Sequence, residues 1–205
     1  ENLSHDPPSV EGVVDVLSEA FFDYPVMRFV IGPGEVDYPA RLRTLVEFFV
    51  RARIFRGEHL LGVRDSEGLA AAAIVSRPDG SPAPAGFLEY RRRIWAELGP
   101  EAEARYDAFG EAGDRVQKRS NCHRVLRLHL NMIGVRASGQ GRGLGRKLLE
   151  RVHRLSAEDP ASEGVSLNTE VEANLALYEH FGYRLIGEAE VAPGLTTWGF
   201  WRPDS

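Results

Sequence analysis

Cysteine is nearly absent from this 205-residue chain: only Cys122 is present, so no internal disulfide can form. That leans towards a reducing, cytoplasmic setting. No apolar run approaches the roughly 18 residues a membrane helix needs, and no membrane partner is expected. The first ten residues, ENLSHDPPSV, lack the apolar stretch of a secretory leader. A basic excess is missing too: 25 Lys and Arg face 30 Asp and Glu, a formal net charge of −5. An extended nucleic-acid footprint is therefore disfavoured. There is no internal repeat and no low-complexity tract. His123 stands beside Cys122, but no companion ligands follow at metal spacing, so no metal is expected.

What is present is ordinary for a globular chain, at 43% apolar and 27% charged residues, and the length suits one domain. A first helix is expected from an N-cap at Ser9, with Val10, Val13, Val14, Leu17 and Phe21 at helical spacing. Residues 22–39 read as a loop. A second helix carries Leu42, Leu45, Val46, Phe49 and Val50, with Pro39 in its first turn. HLLGV and LAAAAIVS flank a turn, RDSEG, and predict a hairpin, although alanine also favours helix. After a Pro- and Gly-rich loop at 76–86, residues 87–119 predict two charged helices split at Gly99-Pro100, an insertion or lid over a core sheet. HRVLRLHLNMIGV, residues 123–135, alternates apolar and polar positions as a strand does. The rest predicts helix, strand, helix and two strands, with Gly182 closing the second helix.

The segment SGQGRGLGRKLL, residues 138–149, carries Gly139, Gly141, Gly143 and Gly145 between a strand and a helix. The first amides of a helix lack intrahelical partners, and the helix dipole adds partial positive charge. Bare backbone lets a phosphate approach closely. Neither the Walker pattern nor the dinucleotide pattern Gly-x-Gly-x-x-Gly fits; Leu144 and Arg146 fall on the last glycine of the latter.

What fits is Gln/Arg-x-x-Gly-x-Gly/Ala, as Gln140, Gly141, Arg142, Gly143, Leu144 and Gly145. Here the chain resembles the GNAT superfamily of acyl-CoA-dependent N-acyltransferases. The preceding LNMIGV is similar to the family's fourth strand. NLALYEHFGY, residues 174–183, resembles its second signature, with Asn174, Tyr178 and Gly182-Tyr183 in register and the small residue displaced to Ala176. The resemblance is firm over residues 125–190 and looser over the N-terminal half. It implies an α/β fold of the α+β type. A central mixed, mostly antiparallel twisted sheet would be splayed between its fourth and fifth strands and flanked by helices. One GNAT domain would span residues 1–205, with the insertion at 87–119.

The resemblance also implies acetyl-CoA as co-substrate. Backbone groups of Ile133, Gly134 and Val135 would bind the pantetheine arm like an added strand. Gln140, Gly141, Arg142, Gly143, Leu144, Gly145 and Arg146 would hold the pyrophosphate, with added charge from Lys147. Asn174 would steady the pantetheine. Tyr178 is the candidate acid for the leaving thiolate; the plain alternative is a core tyrosine on an amphipathic helix. A primary amine with a pKa near 10.4 is only about 0.04% neutral at pH 7, so a base is expected. His129 and Glu170 are both candidates. Cys122 is not needed as a nucleophile, since the amine attacks the thioester directly. Arg91, Arg92 and Arg93 read as a solvated helix face, and Trp95, Trp198 and Trp201 as core or rim residues.

The leading expectation is an N-acetyltransferase acting on a primary amine of a small molecule or peptide. A catalytically silent acyl-CoA sensor and an unrelated nucleotide-phosphate binder stay open. The acceptor, the acyl length and the oligomeric state are not legible, a homodimer through an edge strand being one outcome.

Overall fold

A computed structural model describes residues 1–32, 37–77, 84–119 and 127–204. Cys122, His123 and the first residues of the expected strand at 123–135 lie outside them, as does most of the 76–86 loop. The chain runs α1 (Pro7–Ala20), α2 (Pro25–Ile31), α3 (Tyr38–Phe55), β1 (His59–Asp65), β2 (Gly68–Ser76), α4 (Ala85–Leu98), α5 (Pro100–Arg119), β3 (Leu128–Val135), α6 (Leu144–Glu158), β4 (Gly164–Thr169), α7 (Asn174–His180), β5 (Arg184–Ala192) and β6 (Leu195–Pro203).

The six strands form one sheet in the order β1-β2-β3-β4-β6-β5. Every neighbouring pair is antiparallel except β3 and β4. The strand pair that carries the splay is third and fourth in this chain, because the N-terminal residues add only one isolated bridge, Asn2 to Leu61, beside β1. β2 lies inside the sheet between β1 and β3, and its alanines are buried on both faces: Ala72 and Ile74 join the α1 and α3 side, Ala71, Ala73 and Val75 the α6 side. Small side chains let helices approach from above and below, so packing overrides alanine's helix preference.

Two local readings are corrected. The first helix is capped by Asp6, not Ser9: Pro7 and Pro8 take the first turn, and the Asp6 carboxylate accepts from the Ser9 amide at 2.9 Å. Proline's fixed φ suits that turn, where no amide donor is needed. Within the expected loop at 22–39, Pro25 opens α2, which buries Val26, Met27, Val30 and Ile31. Two turns are too few to stand out from a Pro- and Gly-bounded stretch.

The two helices expected at 87–119 form, split at Gly99. α4 packs on α3: Phe87, Tyr90, Ile94 and Trp95 are buried in the same core cluster as Leu42, Leu45 and Phe48. α5 crosses over β5 and β6, where Val116 meets the backbone of Gly199. Among the described residues no helix is long and apolar enough to cross a membrane.

Candidate functional site

β3 and β4 pair only at Leu128–Val165, His129–Ser166 and Leu130–Leu167. Beyond that point β3 continues against β2 to Val135, and β4 continues against β6 to Thr169. The two strands therefore part, and the β4-facing edge of residues 131–135 has no strand partner. A bulge marks the parting. Ile74 faces Met132 but Val75 faces Leu130, which leaves Asn131 as the extra residue on β3. Bulges bend a strand and re-aim its side chains. Here the phase inverts: Leu128 and Leu130 pack towards α6, Met132 towards α1 and α3. Burial still alternates along Leu128–Val135 as expected, but the buried side chains change face at this residue.

A cavity of about 280 Å³ opens at the gap. β3 supplies His129 to Ile133, and β4 and its following turn supply Leu167, Asn168 and Glu170. α7 adds Asn174 and Tyr178, and α3 and α5 add Phe49, Arg53, Tyr106 and Phe109. The three residues singled out for proton transfer, Tyr178, His129 and Glu170, thus line one space, and so do Ile133 and Asn174.

Glu170 is buried, and Thr197 Oγ1 donates to its Oε1 at 2.7 Å. Its backbone amide donates to the Tyr24 hydroxyl at 3.1 Å, and that hydroxyl lies 3.1 Å from Thr169 Oγ1. Thr169 Oγ1 also accepts from Asn174 Nδ2 at 3.1 Å. Burial pushes the Glu170 carboxyl up to about 7, against the Thr197 and Tyr24 hydroxyls, which favour the ionised form. Burial, then the neighbouring Glu170 charge, pushes the Tyr178 phenol up to about 12. Burial thus brings the Glu170 carboxyl towards neutrality and keeps the Tyr178 phenol protonated at neutral pH.

His129 is a different kind of group. Its Nδ1 lies 2.9 Å from Ser166 Oγ. Burial, then the charges of Arg53 and Arg127, pushes the imidazole down to about 4. It is neutral at pH 7 and a poor proton acceptor there. Asn131 Oδ1 accepts from Ser76 Oγ at 2.7 Å, and Ser76 in turn accepts from Arg53 Nη1 at 2.8 Å.

The glycine segment leads into α6. Gly143 is its N-cap in the left-handed region at φ 74°, and no side chain caps the first turn. Gly141 shares that φ, and added β-carbons at Gly141 and Gly143 would meet nothing within 4 Å. The first-turn amides are thus exposed to an approaching anion with no carboxylate in that turn. Gln140, Arg142 and Arg146 are exposed around them, Gly145 is half-buried, and Leu144 turns into the core. Arg142 pairs with Asp65 at 2.8 Å, and Arg146 lies over the Phe181 ring at 5.6 Å. Lys147 instead faces β1 beside Val63 and Arg151. Gly134 is placed against α1, where a β-carbon would come within 2.6 Å of Ala20 Cβ, and Val135 packs towards α6. The uncapped turn and the unpaired β3 edge suit a diphosphate joined to an extended amide-bearing arm. Among the described residues no group of three or more His, Cys, Asp and Glu could hold a metal ion.

Tyr24, Thr169, Thr197 and Arg53 were not picked out in the sequence. Nothing local marks Thr197, which reaches Glu170 only because β6 lies beside β4. Tyr24 had a faint signal, an aromatic directly before the proline that opens α2.

Residues 92–185 match the family model described as "Acetyltransferase (GNAT) domain". Among solved structures, the Drosophila melanogaster polyamine N-acetyltransferase, an enzyme that catalyses the formation of N-acetylagmatine, is 15% identical with a TM-score of 0.68, covering 99% of both chains. A Corynebacterium glutamicum protein described as histone acetyltransferase HPA2 and related acetyltransferase is 19% identical with a TM-score of 0.64, covering 100% of this chain and 96% of its own. Arylalkylamine N-acetyltransferase 2 of Aedes aegypti is 13% identical with a TM-score of 0.62, covering 100% of this chain and 99% of its own.

Proposed function

We propose that this chain, which carries a GNAT acetyltransferase domain, moves an acetyl group from acetyl-CoA to a primary amine within a ternary complex. The observation that carries the reading is the cavity at the parted ends of β3 and β4, where Glu170 and Tyr178 line one space. The uncapped start of α6 supplies amides for the pyrophosphate, through Gly141 to Arg146. The free edge of Ile133, Gly134 and Val135 takes the pantetheine arm as an added strand, and Asn174 borders it. Structural neighbours named for acetylation of amines support an amine acceptor.

Acetyl-CoA brings the thioester electrophile. Glu170 takes a proton from the ammonium, directly or through one water, and frees the nitrogen lone pair. An amide of β3 polarises the thioester carbonyl as the nitrogen–carbon bond forms. As the carbon–sulfur bond breaks, Tyr178 gives its proton to the departing thiolate and is reprotonated by the second proton of the acylated nitrogen, while Glu170 returns its own proton to solvent. The two proton carriers help each other: the Glu170 charge raises the Tyr178 pKa, so neutralising Glu170 makes Tyr178 the stronger acid when the thiolate leaves. Of the two base candidates, Glu170 at about 7 suits work at neutral pH, and His129 at about 4 does not.

The test is thiol release from acetyl-CoA with a panel of primary amines, alongside coenzyme A affinity of Gly143→Asp. Asp tolerates the left-handed region and is a good N-cap, so the variant should fold. It should lose at least tenfold in coenzyme A affinity, because its carboxylate occupies the diphosphate position. Unchanged affinity would end the proposal. Binding without thiol release from any amine would make the chain a silent acyl-CoA binder instead.

A further inference from the structure

The walls of the cavity differ sharply from its reacting corner. Phe49, Tyr106 and Phe109 line it from α3 and α5, and Tyr24 and Met27 from the start of α2. The rings are anchored rather than loose. Tyr106 contacts Phe48, Phe49 and Trp95 at centroid distances of 5.8, 5.9 and 4.8 Å, and α4 backs the cluster through Phe87 and Tyr90. A wall fixed in the core presents a flat apolar surface at little ordering cost.

Charge on the same walls is sparse and unsymmetrical. Among the described residues lining the cavity, Glu170 is the one carboxylate. Arg53 is the one cation of the lining, and it is ion-paired with Glu58 at 2.9 Å and donates to Ser76 at 2.8 Å. A second ammonium on the acceptor would leave water to lie among rings or beside Arg53, with no carboxylate to receive it. A desolvated, unpaired charge costs several kcal/mol. A carboxylate on the acceptor would have to take Arg53 from Glu58, which is itself buried.

We propose that the acceptor is an arylalkyl monoamine, with its ammonium at Glu170 and its ring against Phe49, Tyr106 and Phe109, and that diamines and polyamines are rejected. The inference rests on the transferase reading for its chemistry, but its recognition surface is independent of turnover. It also separates this chain from the structural neighbour that forms N-acetylagmatine, whose product derives from a dication.

The experiment compares 2-phenylethylamine, putrescine, agmatine and L-phenylalanine by two readouts. One is kcat/KM for thiol release; the other is amine affinity for the coenzyme A-bound protein. The expected result is a preference for 2-phenylethylamine of at least 100-fold over both dications in each readout, and at least tenfold over L-phenylalanine. Phe109→Ala should raise KM for 2-phenylethylamine about tenfold and shrink its preference over propylamine by a similar factor, with coenzyme A affinity held. Phe109→Leu, which keeps an apolar wall, should retain most of the preference and guards against a folding defect. Putrescine or agmatine bound or acetylated as well as 2-phenylethylamine would overturn the inference and leave the transferase reading intact. So would equal use of L-phenylalanine, or no binding of any arylalkylamine. The binding preference without any thiol release would uphold the inference and overturn the transferase reading.

Discussion

Thr197 Oγ1 donates to Glu170 Oε1 at 2.7 Å, and neither side chain is open to solvent. β6 thereby bears on the protonation of a carboxyl just past the end of β4. The bond favours the ionised form and works against burial, the dominant influence.

Thr197→Val removes that donor and keeps the volume. A hydrogen bond to a charged group is worth about 1.5–3 kcal/mol, so the Glu170 pKa should rise by on the order of one unit. The acid limb of kcat/KM should move to higher pH, with the plateau at high pH nearly preserved. A pH–rate profile of both proteins checks this.

Glu170→Gln removes the proposed base. General-base catalysis is worth roughly 10²–10⁴-fold, and kcat should fall by that order at pH 8. The rise of kcat/KM through about pH 7 in the parent should vanish. His129→Gln should leave that limb in place.

The same variant has a stability signature. Glu170 binds its proton more tightly folded, at about 7, than at its reference value of 4.5. Between those values the folded state holds more protons, so stability falls as pH rises through the window. The full difference is about 3 kcal/mol. His129 acts with the opposite sign, its pKa falling from 6.5 to about 4 on burial, so its contribution is lost as pH falls. Denaturant unfolding of Glu170→Gln minus parent isolates the first effect: the variant should gain relative stability from pH 5 to pH 8.

Tyr178→Phe should keep coenzyme A affinity within about threefold and lower kcat at least 100-fold, the scale of a lost general acid. Isothermal titration and steady-state rates check both halves. Unaltered turnover would remove Tyr178 from the chemistry.

Gly199→Ala addresses how α5 seats on the sheet. An added β-carbon would lie 2.3 Å from Val116 Cγ1, in a side chain that is fully buried. Overpacking of this kind costs about 1–3 kcal/mol. Val116→Ala should recover most of that loss in the double variant, a coupling read from urea denaturation.

Much was legible beforehand. The order strand, glycine turn, helix, strand, helix, strand, strand from β3 to β6 follows from periodicity and turn residues, which act locally. The open start of α6 follows likewise, because a glycine run before an apolar helical stripe offers no side chain to cap the first amides, whereas the left-handed φ of Gly143 is a finding of the structure. Asn174 and Tyr178 stand four apart on α7 by helical repeat alone, and the pairing of α4 with α5 was marked by Gly99-Pro100.

What the tertiary structure alone decided is which groups share a space and what that space does to their protons. Thr197 meets Glu170 across two strands, and Tyr24 arrives from a loop 146 residues earlier in the chain. The bulge at Asn131 shows only in the pairing of β3 with β2. Glu170 and His129 were equal candidates as letters; burial pushes one up towards neutrality and the other down away from it, because burying a charge opposes opposite protonation states in an acid and a base.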